Sequence, residues 1–298
     1  FRDNAGATAG DLYKQTSSGW SKVAFGKEIQ FTGAVAQISD GAAITGLTSG
    51  ATATVVRAML RSGTWTSAGA GTLIVSGVTG TFQSGEAIQV GGATKVTSSS
   101  LCTNIARVVG GHVETVLGNF SGLSSTKRIY GCDGVNLAFE FDGTNYIPIR
   151  TGMTTDTPAH IAVHKSHLFL SFDAALQFSG INAPYSWTLL TGANIIGMSE
   201  AISGMVPQSG SEAGAAMAVF TSGKTSILYG SGSSDFNLIP SVDELGYLAW
   251  TLQPVGNNVF GLTARGIQSL VATQSYGDFA YAAVSYFVRP WLTAKAGL

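Results

Sequence analysis

The chain has 298 residues, enough for one large domain or two ordinary ones, and 11% of them are charged, where about 25% is usual for soluble domains. Its 16 basic and 17 acidic residues give a net charge of −1, which argues against a basic surface that binds nucleic acid through its phosphates. An aromatic content of 10% excludes a disordered low-complexity chain. Because so little charge favours association, we expect much of the surface to be contact area in an assembly.

The sequence contains no apolar run near the roughly 18 residues that cross a bilayer, so we predict no membrane-spanning segment. No signal peptide is visible, and because the chain does not begin with Met we expect a segment of a longer protein. Cys102 and Cys132 lack a CxxC spacing. They could form one disulfide, but we expect two reduced thiols and assembly in a reducing compartment. We predict no cofactor.

Taken in chain order, the first clear strand signal is residues 28–31, and a matching strand is predicted at residues 106–109. The stretch between them, at residues 44–98, is rich in Gly, Thr and Ala and holds short apolar runs separated by glycine turns. We predict a small β-barrel or sandwich of three or four strands at 44–98. It would be inserted at a hairpin, where exposed backbone tolerates insertion.

Short alternating runs bounded by Gly, Asn, Asp and Ser fill the rest of the chain, which is typical of strands and turns. The clearest runs are residues 127–130, 138–141, 168–172 and 226–229. A hairpin followed by an outer strand recurs from near residues 127, 160, 215 and 256, at the spacing of roughly 35–50 residues expected of propeller blades. We therefore predict an all-β fold, a β-propeller or an arc of its blades at 1–43 and 99–298. A stack of two-sheet sandwiches is the alternative.

His160, His164 and His167 form the densest group of metal-ligating residue types. The apolar residues around them indicate a strand, on which His160 and His164 would share a face and His167 would point the other way. No HExxH motif is present. We expect structural histidines and no metal site, with metal binding as the alternative.

The C-terminal part holds several charged residues that a sugar-cleaving enzyme could use as its acids and as anion-binding arginines. They are Asp235, Asp243, Glu244, Arg265, Asp278 and Arg289. The Ser-x-Asp-x-Gly-x-x-Trp motif of sialidase-type propellers is absent, and Asp in turns commonly caps backbone N–H groups. We expect turn capping and no catalytic site. A glycosidase that uses Asp235, Asp243 and Asp278 is the alternative.

The tripeptide 223–225, Gly-Lys-Thr, is similar to the end of a phosphate-binding loop. Ala218 stands where that loop requires its upstream glycine, so we predict a hairpin turn here. Four aromatic residues lie near predicted strand ends, Tyr185, Trp187, Trp250 and Trp291. They could stack on sugars, but aromatic side chains at such places more often fill the space between blades.

Three stretches, residues 177–187, 220–230 and 256–267, resemble segments of tail structural proteins of double-stranded DNA bacteriophages. The inserted segment, with its runs at 71–73 and 78–82, looks like small β-domains that decorate phage virion proteins. The resemblance covers residues 11–290 and consists of short phrases, with no diagnostic motif.

The resemblance implies a propeller-bearing nozzle, hub or adaptor ring in the virion tail, assembled in the host cytoplasm. Its partners would be further copies of the chain and other tail proteins, and DNA would pass through without specific binding. The resemblance carries no catalytic residues. Nozzle proteins are usually longer, which again favours a segment or a reduced version. The alternative function is a glycan-binding propeller adhesin that recognises the host surface through Tyr185, Trp187 or Trp250.

Overall fold

The computed structural model describes residues 1–4, 6–208, 216–243, 245–255, 258–270 and 284–296. The chain divides into two compact units. Unit 1 comprises residues 1–157 and 182–191, and unit 2 comprises residues 158–181 and 192–298. Antiparallel strands dominate both units, which confirms the all-β prediction.

Unit 1 begins with two short antiparallel pairs. Strands β1 (Arg2–Asp3) and β2 (Gly10–Asp11) form the first, and β3 (Tyr13–Thr16) and β4 (Gly19–Lys22) form the second.

A six-stranded barrel follows in unit 1. Its strands are β5 (Lys27–Ala34), β6 (Ala43–Gly46), β7 (Thr52–Thr64), β8 (Ser67–Thr79), β9 (Ala87–Val90) and β10 (Ala93–Ser98). The strand order is β10-β9-β6-β7-β8-β5, and pairing of β10 with β5 closes the ring. The short strand β11 (Thr103–Asn104) pairs with the start of β5.

The barrel interior is filled by side chains that alternate along its strands, as period-two geometry requires. Ile29 and Phe31 on β5 and Leu73 and Val75 on β8 are all fully buried in one cluster. Each such side chain contributes about 1.5–3 kcal/mol when it leaves water.

The barrel is larger than the predicted domain at 44–98. Strand β5, predicted as the lead-in to the insertion, pairs with both β8 and β10 and is part of the ring. Strand β5 pairs next with Thr103–Asn104 and not with the predicted strand at 106–109. The structure has six strands where the sequence predicts three or four, and Gly69 and Gly77 lie inside the 13-residue β8 instead of between strands.

After the barrel the chain forms four consecutive antiparallel meanders. Meander 1, in unit 1, is β12 (Glu114–Gly118), β13 (Arg128–Cys132), β14 (Ala138–Phe141) and β15 (Tyr146–Ile149). Meander 2 is β16 (Ile161–His164), β17 (His167–Phe172), β18 (Ala175–Phe178) and β19 (Asn194–Gly197). Meander 3 is β20 (Ile202–Pro207), β21 (Met217–Thr221), β22 (Lys224–Tyr229) and β23 (Asn237–Asp243). Meander 4 is β24 (Gln253–Val255), β25 (Asn258–Thr263) and β26 (Gly266–Ser269).

The four strand runs predicted between residues 127 and 229 all lie in meanders 1 to 3. The predicted start of the third repeat at Ala215 and the turn at 256–257 lie outside the described residues. Short 3₁₀ turns occur at Ser124–Thr126, Leu189–Thr191 and Tyr286–Val288, and helix α1 spans Arg289–Ala296. Among the described residues, no helix has the length and apolar character needed to cross a membrane.

Strand β21 shows how the core of unit 2 is built. Met217 and Val219 pack in a cluster with buried residues of meander 2, such as Phe169. Ala218 and Phe220 alternate with them and pack in a second cluster with residues that include Val259 of meander 4. Because successive side chains point to opposite faces of a strand, meander 3 is buried on both faces, between meanders 2 and 4.

Candidate functional site

The structure places His164 and His167 directly opposite each other across a two-residue turn in unit 2. The turn residues Lys165 and Ser166 both have positive φ, +48° and +61°, as a tight hairpin turn of this kind requires. Cross-strand partners share a face of the sheet, so the prediction that His167 points away from His164 is wrong. The prediction supposes one continuous strand, whereas the chain turns back between the two histidines. His160 precedes β16 and packs 5.8 Å from the Trp250 ring.

Both paired histidines are buried among phenylalanine rings. The ring centroid of Phe236 lies 5.4 Å from that of His167 and 6.4 Å from that of His164. Burial, together with the charges of Lys165 and His167, lowers the pKa of His164 to about 4. Burial also lowers the pKa of His167, against a hydrogen bond between its Nδ1 and the Ser179 carbonyl. Both rings are therefore neutral at pH 7. No group of three or more His, Cys, Asp or Glu side chains suited to a metal occurs within the described ranges.

Of the acidic residues predicted to cap turns in unit 2, Asp235 lies in a turn, whereas Asp243 is the last residue of strand β23. Asp235 accepts hydrogen bonds from the backbone N–H groups of Ser231 and Gly232. The turn at 223 joins β21 to β22, and Glu200 accepts a hydrogen bond from the Gly223 N–H. Arg265 lies in the turn between β25 and β26, and Arg289 begins α1. The Asp243 side chain, Glu244 and Asp278 lie outside the described part.

The aromatic residues proposed as sugar platforms are distributed unevenly. Tyr185 and Trp187 belong to the segment 182–191 of unit 1, and both line a pocket there. In unit 2, Trp250 packs on His160 and Trp291 is exposed on α1. The structure thus brings together only the first two.

The most highly charged site in unit 1 is built around the Arg57 guanidinium on barrel strand β7. Its Nη1 donates to Glu140 Oε1 at 3.0 Å and its Nη2 to Asp142 Oδ2 at 3.1 Å. Its Nε lies 3.1 Å from Asp40 Oδ2. One cation thus links strand β7 to two carboxylates of meander 1.

Glu140 is the buried centre of this arrangement, with a side chain 3% exposed. Its Oε2 accepts hydrogen bonds from the hydroxyls of Tyr130 at 2.9 Å and Tyr185 at 2.5 Å. Burial and the adjacent carboxylate raise the pKa of both tyrosines above their ordinary value, so both phenols remain protonated donors. Arg128 Nε lies 3.6 Å from Oε1.

A cleft of about 340 Å³ opens beside these groups, and Arg57, Arg128, Tyr130, Glu140 and Tyr185 line part of it. Both oxygens of Glu140 already accept hydrogen bonds or ion pairs from protein groups. A carboxylate held in this way is positioned and stabilised in its ionised form. The arrangement links the barrel to meander 1.

Two further charged groups of unit 1 are also used internally. Arg107 donates to Asp133 and, at 2.7 Å, to the Tyr146 hydroxyl. In the barrel, Glu86 accepts backbone N–H bonds from Thr48, Ser49 and Gln83. Burial opposes its charge, but these bonds hold the pKa of Glu86 below its ordinary value.

The sequence reasoning did not identify Arg57, Glu140, Arg107 or Glu86. A signal was available for Glu140, because it stands between two phenylalanines in a short strand whose neighbour carries a tyrosine. No signal in the sequence pairs it with Arg57, which is 83 positions away.

No family model matches the chain, and no curated protein matches it. Among solved structures, BBS1N in complex with ARL6DN, soaked with lead, matches at a TM-score of 0.36 and 13% identity over 73% of this chain. The COPII outer coat vertex on membranes matches at a TM-score of 0.35 and 9% identity over 88% of this chain and 72% of that chain. This chain spans 62% of the matched BBS1N chain. TM-scores this low assign no function to this chain. Its fold is the one given by the strands and pairings described above.

Proposed function

We propose that the chain is a structural component of a bacteriophage tail, part of a nozzle, hub or adaptor ring that forms a conduit for genome delivery. The proposal includes a finer fold: the four meanders are blades of a β-propeller or of an arc of blades, and the barrel is an inserted domain. Four-stranded antiparallel sheets are the units of propellers, and meanders 1 to 3 have four strands each, while meander 4 has three among the described residues. Burial of meander 3 on both faces supports this, because an inner blade packs against a blade on each side.

The observation that carries the structural role is the contrast between interior and surface. Several of the charged residues form internal ion pairs, such as Arg57–Glu140, Arg107–Asp133 and Arg150–Glu28. At the same time large apolar side chains are exposed, with Leu190 94% exposed in unit 1. A surface that combines low charge with exposed apolar groups favours association.

The mass of the protein in solution tests this proposal. We expect light scattering to give a particle several times heavier than the 30.7 kDa chain, and electron microscopy to show closed rings. The matched control is Leu190→Ser, which should lower association without unfolding the protein. A monomer at high concentration that is also absent from purified phage tails would overturn the proposal.

A second candidate is a glycan-binding adhesin, favoured by one specific observation. Tyr185 and Trp187, two aromatic residues of segment 182–191, line a common pocket with polar side chains. Such combinations suit a sugar, whose ring carbons stack on aromatic faces and whose hydroxyls form hydrogen bonds. A glycan array probed with the wild type and with Trp187→Ala tests it. Equal binding by both proteins, or none by either, would count against it.

A further inference from the structure

The pocket beside Tyr185 and Trp187 contains two arginines. Its volume is about 220 Å³, and its lining also includes Arg61, Arg150, Thr151 and Thr188. Arg61 lies on β7, and Arg150 directly follows β15. The segment that carries Tyr185 and Trp187 is attached to β7, because Ser186 Oγ donates a hydrogen bond to the Arg61 carbonyl at 3.2 Å.

Both guanidinium groups keep donors that the protein does not use. Arg61 Nη2 donates to Gln30 Oε1 at 3.2 Å, and Arg150 Nη2 donates to Glu28. The Nε atoms of both arginines are buried without a hydrogen-bond partner. Burial and the charge of Arg150 lower the pKa of Arg61 below its ordinary value. The two Nε atoms have no accessible surface, but neither Nη1 atom is buried in this way and neither has a hydrogen-bond partner among the described residues. A bound anion would relieve the repulsion and accept hydrogen bonds from the Nη1 groups.

The nearby acids do not occupy the pocket. Glu28 is engaged by Arg150, and Asp156 accepts two hydrogen bonds from Thr151, from its N–H and its hydroxyl, both at 2.8 Å. Neither carboxylate lines the pocket. The lining therefore includes two cationic groups, two aromatic rings and no carboxylate, while Glu28 outside the lining pairs with one of the two cations.

We propose that this pocket binds a carboxylate-bearing sugar residue of an acidic glycan. The carboxylate would lie at Arg61 and Arg150, since the planar guanidinium matches carboxylate geometry. The sugar ring would pack on Trp187 or Tyr185, and Thr151 and Thr188 offer hydroxyl partners. The volume suits one sugar unit. This inference rests on the second function proposed above and specifies its ligand.

Isothermal titration calorimetry with galacturonic acid tests the site, with galactose and acetate as matched ligands. We expect galacturonic acid to bind at least about tenfold more tightly than either. Arg61→Gln and Trp187→Ala should each weaken that binding by about tenfold or more. Trp20→Ala is the control variant, because Trp20 is exposed on the separate strand β4, and it should bind as the wild type does. Circular dichroism confirms that each variant is folded.

The outcomes separate this inference from the function on which it rests. Equal binding of galactose and galacturonic acid would overturn the acidic ligand but leave glycan binding in place. Equal binding of acetate and galacturonic acid would also overturn the proposal, because the sugar ring would then contribute nothing. Wild-type affinity in both folded pocket variants would place the ligand elsewhere and overturn the site. Absence of binding to any glycan would overturn both this inference and the adhesin.

Discussion

Arg57 and Glu140 join a barrel strand to an inner strand of meander 1 through a 3.0 Å ion pair, and the carboxylate is 3% exposed. Such a pair holds its two elements in place because each charge would be costly to bury alone. Arg57 also pairs with Asp40 and Asp142, and Glu140 also accepts a hydrogen bond from the Tyr185 hydroxyl. The joint is therefore more rigid than its small number of residues suggests.

We expect Arg57→Ala to lower the free energy of unfolding by about 3–5 kcal/mol, because Glu140 is left as a buried charge without its cation. Urea denaturation measures this free energy. The control is Lys127→Ala, at an exposed position, which should change stability by about 0.5 kcal/mol or less. Equal losses in Lys127→Ala and Arg57→Ala would contradict the buried joint.

We expect stability to fall on mild acidification through His164. Its folded pKa of about 4 lies below the ordinary 6.5, so the unfolded state takes up protons first and stability declines as pH falls from 6.5 towards 4. Between pH 7 and 5 the loss should be about 2 kcal/mol. His164→Phe should flatten this part of the profile. Glu86 and Asp142 titrate below their ordinary 4.5 and 3.8, so they add losses only at lower pH. An unchanged slope in His164→Phe would refute the assignment.

We expect Gly71→Ala to disrupt the barrel. A Cβ at this position would overlap the Met59 carbonyl oxygen and crowd the Phe31 ring, so backbone must move. Overpacking of this kind costs about 1–3 kcal/mol or more. The same substitution at Gly197, which has open space around it and no positive φ, should stay within about 0.5 kcal/mol of wild type. Thermal melting distinguishes them, and equal melting temperatures would contradict the close packing of β7 on β8.

We expect Glu86→Gln to destabilise the barrel loops by about 1–3 kcal/mol. The neutral amide is a weaker acceptor than the carboxylate, and its NH₂ group would face backbone donors of Ser49 and Gln83. Hydrogen exchange at those amides should accelerate. Asp3→Asn, at an exposed site, serves as the control and should leave their exchange unchanged. Unaltered protection of Ser49 and Gln83 in Glu86→Gln would argue against the bonds described.

The meander strands could be predicted because their apolar residues alternate and are bounded by turn residues. Residues 138–141, for example, match β14 from end to end. Strand β19 (Asn194–Gly197) was missed because an edge strand with exposed side chains carries no such pattern. In the barrel, the sequence predicts turns at glycines such as Gly77, which lies inside β8, and Gly71 in the same strand allows close approach of two backbones. Local sequence cannot distinguish these two uses of glycine.

The candidate site was predictable only in its aromatic part. Tyr185 and Trp187 could be selected by residue type, but the arginines that share their pocket come from β7 and from the end of β15. Only the folded chain brings residues so far apart in sequence together. The prediction for His167 was wrong for a related reason, since a turn at Lys165–Ser166 brings His167 to the same face of the sheet as His164.

The burial of β21 on both faces has a consequence for how the strand finds its register. In a half-buried strand, a slip by one residue exposes apolar groups to water and is penalised strongly. Here a slip exchanges Met217 and Val219 with Ala218 and Phe220, and both sets are apolar. Alignment must therefore come from side-chain volume and from the turn that Glu200 fixes at Gly223. A strand surrounded by hydrophobic neighbours thus depends in part on the half-buried carboxylate of Glu200 for its correct pairing.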